Sequence, residues 1–483
     1  MRKKIIVSSL TAALMASTAW AAPSTTAQVE EMVKHVVLSE DVEYQGASQV
    51  KTIANGYEVT TPAGVLKSDK KTAVPSFVFN MFKSGSSKNG VRYQLQLKEA
   101  SQIFPALTGI LKDNQITYSA LNYQAFVVPE HSLVEKQELR VSGLTFPAAA
   151  GAVFKAGQVL FTDTADLNKD TDIKSNTSIS LQGIAVTHAL ANLSADSFDF
   201  KVDIPSTTKA KNPIEQVVRT PQLKQTMSAK NVQITIPADK DFALSFDLDQ
   251  DLDFKKDQKD YNVSMELKWA FTNIQAKGID SLPSVVSSDI SATGFTVGQM
   301  LTYSAQMDNY QRAQDLPKSP SKDLAVKTAE KEAKDAYDKL LDKLVVTVNQ
   351  VLFEAPQYRV VLKGTIVPKL EQFKGTFQVT NFDYLAPEPK KIDDAACKAV
   401  IDKMVAGELA GEAFTTAYKD SCDDNRGALD VLRPYRDTAR KVKDAKGQDA
   451  LIFDVEYLGD DLYINRQKVT DEQMNNVLGG VLK

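Results

Sequence analysis

The stretch that decides the fold is Phe246-Asp247-Leu248-Asp249-Gln250-Asp251-Leu252-Asp253-Phe254. At a period of two residues, its apolar side chains and Gln250 share one face of a strand, and four aspartates line the other. Same-face residues of a strand stand roughly 7 Å apart, too far for four carboxylates to reach one calcium ion at about 2.4 Å. The stretch therefore predicts a strand with a dry face and a solvated face that resists association with other strands.

Similar runs separated by Gly, Pro, Asn and Asp recur from about residue 40 to residue 299. The clearest are residues 57–60, 92–98, 139–141, 178–181, 198–202 and 232–236. Because each alternates apolar and polar residues, they predict many antiparallel strands with one dry side and one wet side. The expected fold class is α+β, an extended and mostly antiparallel β-sheet with packed helices and a C-terminal helical hairpin.

The N-terminal residues have the layout of a secretory signal peptide. Three positive residues precede an apolar run of about 12 residues, shorter than the roughly 20 needed to span a bilayer. Small residues at Ala19 and Ala21 fit cleavage after Ala21. We therefore expect export to the periplasm through a cleavable signal peptide at residues 1–21.

Helical spacing begins near residue 300. A helix over 300–314 is broken by Pro317 and Pro320, and Ser321 is placed to cap the next helix. This second helix is expected to lie on a sheet, with a helix on a membrane surface as the alternative. Its apolar positions are Val326, Ala329, Ala333, Ala336, Tyr337, Leu340, Leu341, Leu344 and Val348.

The two cysteines, Cys397 and Cys422, predict a disulfide. Helices over residues 394–405 and 409–420, joined by a glycine-containing turn, would form an antiparallel hairpin that brings the cysteines opposite each other. Closing a loop of about 25 residues contributes roughly 3 kcal/mol in the chain-entropy model. A catalytic thiol pair is the alternative, but the sequence lacks a close Cys-x-x-Cys spacing.

The expected organisation has five parts. They are a signal peptide at 1–21, a β-rich region at 22–299, helices plus a strand pair at 300–386, an inserted helical hairpin at 387–446, and a C-terminal β-hairpin and helix at 447–483.

Charge and motifs exclude several classes of function. Without residues 1–21 the chain has 54 Lys and Arg against 61 Asp and Glu, a net charge of −7, which disfavours binding to nucleic acid. No nucleophile elbow, phosphate-binding loop or His-Glu-x-x-His helix occurs, and His35, His131 and His188 are isolated in the sequence. We expect no enzyme activity and no cofactor.

One acidic run resembles the start of a calcium-binding loop. Asp166, Asn168, Asp170 and Asp172 provide oxygen atoms at loop positions 1, 3, 5 and 7. The run lacks the glycine and the bidentate glutamate that complete such a loop, so a weak calcium site and a polar turn both stay open.

The C-terminal residues have a distinctive order of elements: a strand at 451–457, a turn at 459–461, a strand at 462–465, and a helix capped by Thr470 with Gln473 completing a capping box. Here the sequence resembles the YdgA-like family of Gram-negative envelope proteins of unknown function. A second similarity covers residues 290–367, so the two together span about a quarter of the chain. The resemblance implies an envelope protein and supplies no catalytic residues. Family members look anchored by an uncleaved N-terminal helix, and this chain departs from that pattern, which leaves inner-membrane association open.

Two functions remain as expectations. In the first, the dry sheet face binds lipid or another apolar ligand. In the second, helices and a second sheet cover that face, and the protein is a structural or protein-interaction module of the periplasm. The expected partners are accordingly a lipid or an envelope protein. The oligomeric state does not follow from the sequence.

Overall fold

The computed structural model describes residues 26–36, 38, 42–67, 73–74, 76–97, 115–131, 133–148, 151–168, 172–208, 222–256, 262–277, 282–317, 319–388, 394–405, 417–418 and 429–470. The chain divides into two compact units. The N-terminal unit comprises residues 1–261 and 276–278, and the C-terminal unit comprises residues 262–275 and 279–483. The predicted signal peptide and the predicted helix after Thr470 lie outside the described residues.

The N-terminal unit is built from one helix, α1 (Thr26–Val36), and many antiparallel strands. The strands are β1 Val42–Tyr44, β2 Gln49–Ile53, β3 Gly56–Thr60, β4 Gly64–Leu66, β5 Ala73–Val74, β6 Val78–Ser87, β7 Gly90–Leu97, β8 Ala120–Val128, β9 Leu133–Pro147, β10 Val153–Asn168, β11 Asp172–Thr187, β12 Asn192–Thr208, β13 Gln222–Ile236 and β14 Asp239–Lys256. The main sheet runs in the order β2, β3, β6, β7, β8 and then β9 to β14, while β1, β4 and β5 form a small separate sheet. The predicted antiparallel, strand-rich architecture is confirmed.

The alternation at residues 246–254 is confirmed in β14. Phe246 and Leu248 pack against an apolar cluster on one side of the sheet. Asp249 lies on the other side, where its carboxylate pairs with Lys230 at 2.9 Å.

A line of backbone irregularities crosses the long strands. Gly143, Gly183 and Asn231 all have positive φ, at 61°, 60° and 50°. The apolar alternation changes at this line. Along β10, for example, the apolar residues before Gly157 are the even-numbered Phe154 and Ala156, and those after it are the odd-numbered Val159 and Phe161. Apolar residues from before and after the irregularities nevertheless join one cluster, because each irregularity turns the strand and keeps these side chains on the same side of the sheet. The pairs within that cluster are Leu181 and Ile184, Ala195 and Phe198, and Ala229 and Val232.

Helix α1 covers one end of the main sheet. Its Val29, Met32 and Val33 are buried in a cluster with Phe79 and Val127 of the strands beneath. The three apolar positions lie at helical spacing on one face, which explains why this segment forms a helix against the sheet. The sequence prediction placed these residues in the β-rich region and missed the helix.

The C-terminal unit contains further antiparallel strands and several helical segments. Its strands are β15 Asn262–Ala276, β16 Val285–Thr296, β17 Val345–Glu354, β18 Arg359–Val367, β19 Gln372–Thr380, β20 Arg440–Lys443, β21 Asp449–Leu458, β22 Asp461–Ile464 and β23 Gln467–Lys468. The order is β15, β16, β17, β18, β19 and β21, and the far edge of β21 pairs with both β20 and β22. The helices are α2 Val297–Gln314, α3 Pro320–Leu341, α4 Phe382–Leu385 and α5 Asp394–Val405.

Helices α2 and α3 pack against each other, as Tyr303 and Tyr337 show with ring centroids 5.6 Å apart. The predicted cap at Ser321 is wrong. Ser319 caps α3 by accepting a hydrogen bond from the Lys322 backbone N–H at 3.2 Å. Pro320 occupies the first helical position, where its missing N–H costs nothing, so the cap falls on the residue before it.

The predicted C-terminal end of this helix is also wrong. Helix α3 ends at Leu341, and Val348 lies in β17, opposite Gly364 of β18. The run at residues 345–348 is Val-Val-Thr-Val, and β-branched side chains favour a strand over a helix.

A C-terminal helical hairpin over residues 387–446 is not supported. Its first helix is present as α5, and its second helix lies almost wholly outside the described residues. The later part of the range contains a 3-10 segment, Asp430–Thr438, and then β20. Pro434 within this segment is incompatible with a regular α-helix, and β20 gains backbone partners on the edge of β21.

The core of the C-terminal unit lies beneath that 3-10 segment. Leu432 and Tyr435 from the segment are buried with Phe382, Val379 and Phe453. The strand–turn–strand predicted at residues 451–465 is present as β21 and β22 and forms the floor of this core.

No helix in the part of the chain that the structure describes is long and apolar enough to span a membrane.

Candidate functional site

An apolar surface crosses the long strands of the N-terminal unit. Register places Leu139, Phe161, Ile179, Phe200 and Met227 directly opposite one another on β9 to β13. Directly opposed residues of antiparallel strands point to the same side, so these five side chains form a continuous row. We call this row and its neighbour the apolar face. The neighbouring row is Val141, Val159, Leu181, Phe198, Ala229 and Leu248.

The apolar face is only partly shielded from solvent. Every side chain of the Leu139 row is intermediate between buried and exposed. Within the described part of the N-terminal unit, the principal contacts of β10 to β13 are with adjacent strands. This contrasts with β3, β6, β7 and β8, where α1 seals the sheet.

The apolar face begins where the core beneath α1 ends. Tyr123 of β8 packs against that core and stands directly opposite Leu139 of β9. The buried core and the partly exposed face are therefore two parts of one side of the sheet.

A shallow pocket of about 500 Å³ lies over the middle of β11 to β14. Its lining includes Ile179, Phe200, Met227 and Gln250, which are in register across the four strands. Polar neighbours of these residues along each strand complete the lining. Because successive side chains of a strand point to opposite sides of the sheet, this lining includes residues from both faces of the four strands.

A chain of polar side chains lies among the apolar ones at the boundary with the α1 core. Tyr123 Oη donates to Gln137 Oε1 at 3.3 Å, and Gln137 Nε2 donates to Asp163 Oδ2 at 3.1 Å. Thr177 Oγ1 donates to Asp163 Oδ1 at 2.8 Å. Gln137 is fully buried, so its two hydrogen bonds offset the cost of removing an amide from water. We call these four residues the polar chain.

Burial, and then the charge of Asp163, raise the pKa of Tyr123 from its ordinary 10.0 to about 12. The folded state therefore holds this proton more tightly than the unfolded state does. The contribution of this pKa shift to the free energy of unfolding is present below pH 10 and is lost as the pH rises through 12.

We expect this shift in a rapid pH-jump titration of tyrosinate absorbance, recorded before alkaline unfolding. Subtracting the curve of Tyr123→Phe from that of the wild type should give one proton with a midpoint near pH 12. A difference curve centred near the ordinary value of about 10 would contradict the buried placement of this hydroxyl.

The opposite side of the same strands is polar and exposed. The hydrogen bond and charge of Asp249 raise the pKa of Lys230, against the effect of partial burial. Lys201 pairs with Asp203 at 3.0 Å, and Lys255 pairs with Asp253 at 2.9 Å. Exposed pairs of this kind contribute little stability, about 0 to 1 kcal/mol each, and keep this side solvated.

The calcium candidate falls on the β10–β11 hairpin. Asp166 pairs with Lys88 at 2.6 Å and accepts a hydrogen bond from Asn89 at 3.2 Å. Burial acts to raise the pKa of Asp166, but the hydrogen bonds from Lys88 and Asn89 and the charges of Lys88 and Lys174 lower it overall. The backbone places Asn168 opposite Asp172, and Asp170 lies outside the described residues.

No group of three or more His, Cys, Asp or Glu suited to a metal ion occurs in the described ranges. Because Asp170 lies outside those ranges, the calcium site stays a prediction.

The predicted disulfide also involves a residue outside the described ranges. Cys397 lies on α5 and is half-buried, while Cys422 falls in the undescribed segment 419–428. No cysteine of the described part is free. The Cys397–Cys422 pairing stays a prediction.

Sequence reasoning missed the polar chain, although a pattern for it exists. Asp163 occupies an apolar position in the alternation Val159, Phe161, Asp163, Ala165, and Gln137 does the same before Leu139 and Val141. Polar residues on neighbouring strands, at positions where the alternation otherwise has apolar residues, would have indicated the site. Their contact depends on register, which alternation alone does not provide.

The chain matches no family model, no curated protein and no solved structure. The resemblance to the YdgA-like family therefore stays an expectation from the sequence.

Proposed function

We propose that this protein binds an amphipathic lipid or a similar apolar ligand on the apolar face of its N-terminal unit, without catalysis. The observation that carries the proposal is the row from Leu139 to Met227, which is continuous, partly exposed and directly adjacent to a sealed core. Covering such a row with an acyl chain gains about 25 cal/mol for each Å² of apolar surface removed from water.

The proposed location is the periplasm, reached by cleavage of residues 1–21, with inner-membrane association as a further expectation. This location supports the proposed ligand class, because an exported protein of a Gram-negative envelope works beside two membranes. The acidic net charge suits an uncharged or cationic ligand group better than a purely anionic one.

The first test is native mass spectrometry of protein purified from the periplasm without detergent, followed by extraction and identification of bound molecules. The proposal predicts a chain beginning at Ala22 that carries a lipid in stoichiometric amount. A retained signal peptide would contradict the proposed location. A ligand-free mass combined with no binding of an added fluorescent acyl probe would contradict the proposed function.

Matched double variants place the ligand on one side of the sheet. Ile179→Gln with Met227→Gln adds two amides to the apolar face, whereas Thr162→Gln with Thr164→Gln adds them to the opposite side of the neighbouring strand β10. We expect the first pair to weaken acyl-probe binding about tenfold, or 1.4 kcal/mol, and the second pair to leave it unchanged. Equal effects from the two pairs would contradict binding on the apolar face.

The second candidate function is a periplasmic structural or protein-interaction module. The observation that favours it is the covered core of the C-terminal unit, where Leu432 and Tyr435 close over Phe453. Recovery of the chain crosslinked to a defined envelope protein, with no bound lipid, would support this alternative.

The predicted disulfide has its own measurement. Protein from the periplasm should gain the mass of two hydrogens on reduction, and its two cysteines should react with an alkylating reagent only afterwards. A helical hairpin between residues 394 and 420 that juxtaposes Cys397 and Cys422 remains our proposal for the geometry. Two thiols that alkylate without reductant would contradict the pairing.

A further inference from the structure

We propose that Asp163 binds the ammonium group of an amphipathic ligand whose acyl chain lies along the apolar face. This inference rests on the proposed function and adds the chemistry of the ligand's head group.

Asp163 belongs to the same side of the sheet as the apolar face. It precedes Ala165 and follows Phe161 in the alternation of β10, and register sets it opposite Gln137 and Thr177. Both partners donate hydrogen bonds to it, which confirms that the three side chains share one side. The carboxylate is therefore about 7 Å, the spacing of same-side residues, from the Leu139 row.

The polar chain fixes the orientation of this carboxylate. Fully buried Gln137 is held between Tyr123 and Asp163, and Thr177 holds the second carboxylate oxygen. An ionised carboxylate offers roughly four acceptor positions, so about two remain after these bonds. Asp163 itself is half-buried, so those positions face a partly dry environment.

The charge of Asp163 has no cationic partner in the described residues. Its hydrogen bonds come from a neutral amide and a neutral hydroxyl, and no ion pair involves it. By contrast, the carboxylates on the opposite side, such as Asp249 and Asp253, pair with lysines. A partly buried charge without a counter-charge is costly, and a ligand cation would relieve that cost.

Charge and geometry together select one class of occupant. A carboxylate repels phosphate or carboxylate head groups and accepts hydrogen bonds from an ammonium group. From β9 to β13, four spacings of about 4.8 Å give the row a length of roughly 19 Å. An extended acyl chain can lie on that length with its head group at the polar chain.

The test compares three probes that share one chain: dodecylamine, dodecanol and dodecanoate, each displacing a fluorescent acyl probe from the protein without its signal peptide. We expect the wild type to bind the amine about tenfold more tightly than the alcohol, and the carboxylate most weakly. Asp163→Asn keeps the size and acceptor oxygen but removes the charge, and should abolish the preference for the amine. Asp203→Asn removes a charge on the opposite side of the same sheet, where Asp203 pairs with Lys201, and should leave the preference intact.

The outcomes separate the two proposals. If the wild type binds none of the probes, the proposed function fails. If it binds all three equally, or if Asp163→Asn retains the preference, acyl binding stands and the role of Asp163 is overturned. The wild-type comparison needs no variant, so a folding defect in Asp163→Asn leaves the test intact. Asp163→Glu should in addition restore a preference for the amine.

Discussion

Replacing Gly294 with alanine should destabilise the C-terminal unit by about 4 kcal/mol or more, at the upper end of single-residue effects. Gly294 lies on β16 with φ +86°, a conformation that a side chain strongly disfavours. A Cβ atom there would lie 1.8 Å from the backbone oxygen of Lys343 and 2.7 Å from its carbonyl carbon. Because the clashing atoms of Lys343 belong to the backbone, the turn between α3 and β17 would have to move away from β16.

Denaturant unfolding followed by tryptophan fluorescence measures this effect directly. In a chain that begins at the proposed Ala22, which lacks Trp20, Trp269 on β15 is the only tryptophan, and it pairs with Ser288 of the affected strand β16. Gly459→Ala is the matched control, because Gly459 also has positive φ, +61°, but has no atom within 4 Å of the added Cβ. The control should cost about 1 kcal/mol. Similar losses for both variants would show that β16 and residue 343 do not approach so closely.

Truncating Phe453 to alanine should cost about 3 to 5 kcal/mol, because it removes a large buried ring and leaves a cavity. Phe453 is 0% exposed at the centre of the core of the C-terminal unit. Its ring centroid lies 5.5 Å from that of Phe382, and it stands opposite Phe377 in the β19–β21 pair. The 3-10 segment above it cannot move inwards to fill the cavity without breaking its own contacts with the sheet.

Phe353→Ala provides the control for Phe453→Ala. Phe353 lies on β17 of the same unit and is 41% exposed, so the same chemical change should cost less than half as much. Thermal unfolding of the two variants side by side gives the comparison. Equal shifts in Tm would mean that residue 453 is not at the centre of a packed core.

The sequence anticipates the strands because their signal is local. In residues 246–254, every second residue is apolar apart from Gln250, and β14 confirms that reading. Where local signals compete, prediction fails: the helical spacing of α3 continues through Leu344 to Val348, but Val348 belongs to β17. The β-branched residues there pair with β16 and β18, and those partners lie far away in the sequence.

The candidate site likewise has features that follow from local sequence and features that depend on distant residues. Alternation by itself determined that the protein has a sheet with a dry side, and therefore that an apolar face exists. It did not determine that α1 covers one end of that side and leaves the rest partly exposed, since this depends on how a distant helix packs.

Only the tertiary structure brought Tyr123, Gln137, Asp163 and Thr177 into one hydrogen-bonded chain. They lie on four different strands, and a shift of one residue in any strand would turn its side chain to the other face. The two-residue alternation can be recognised in each segment of the sequence by itself. The register of the strands, in contrast, is fixed by turns, irregularities and packing across the whole sheet. The sequence therefore determined the dry face, and the pairing of strands decided which polar groups meet on it.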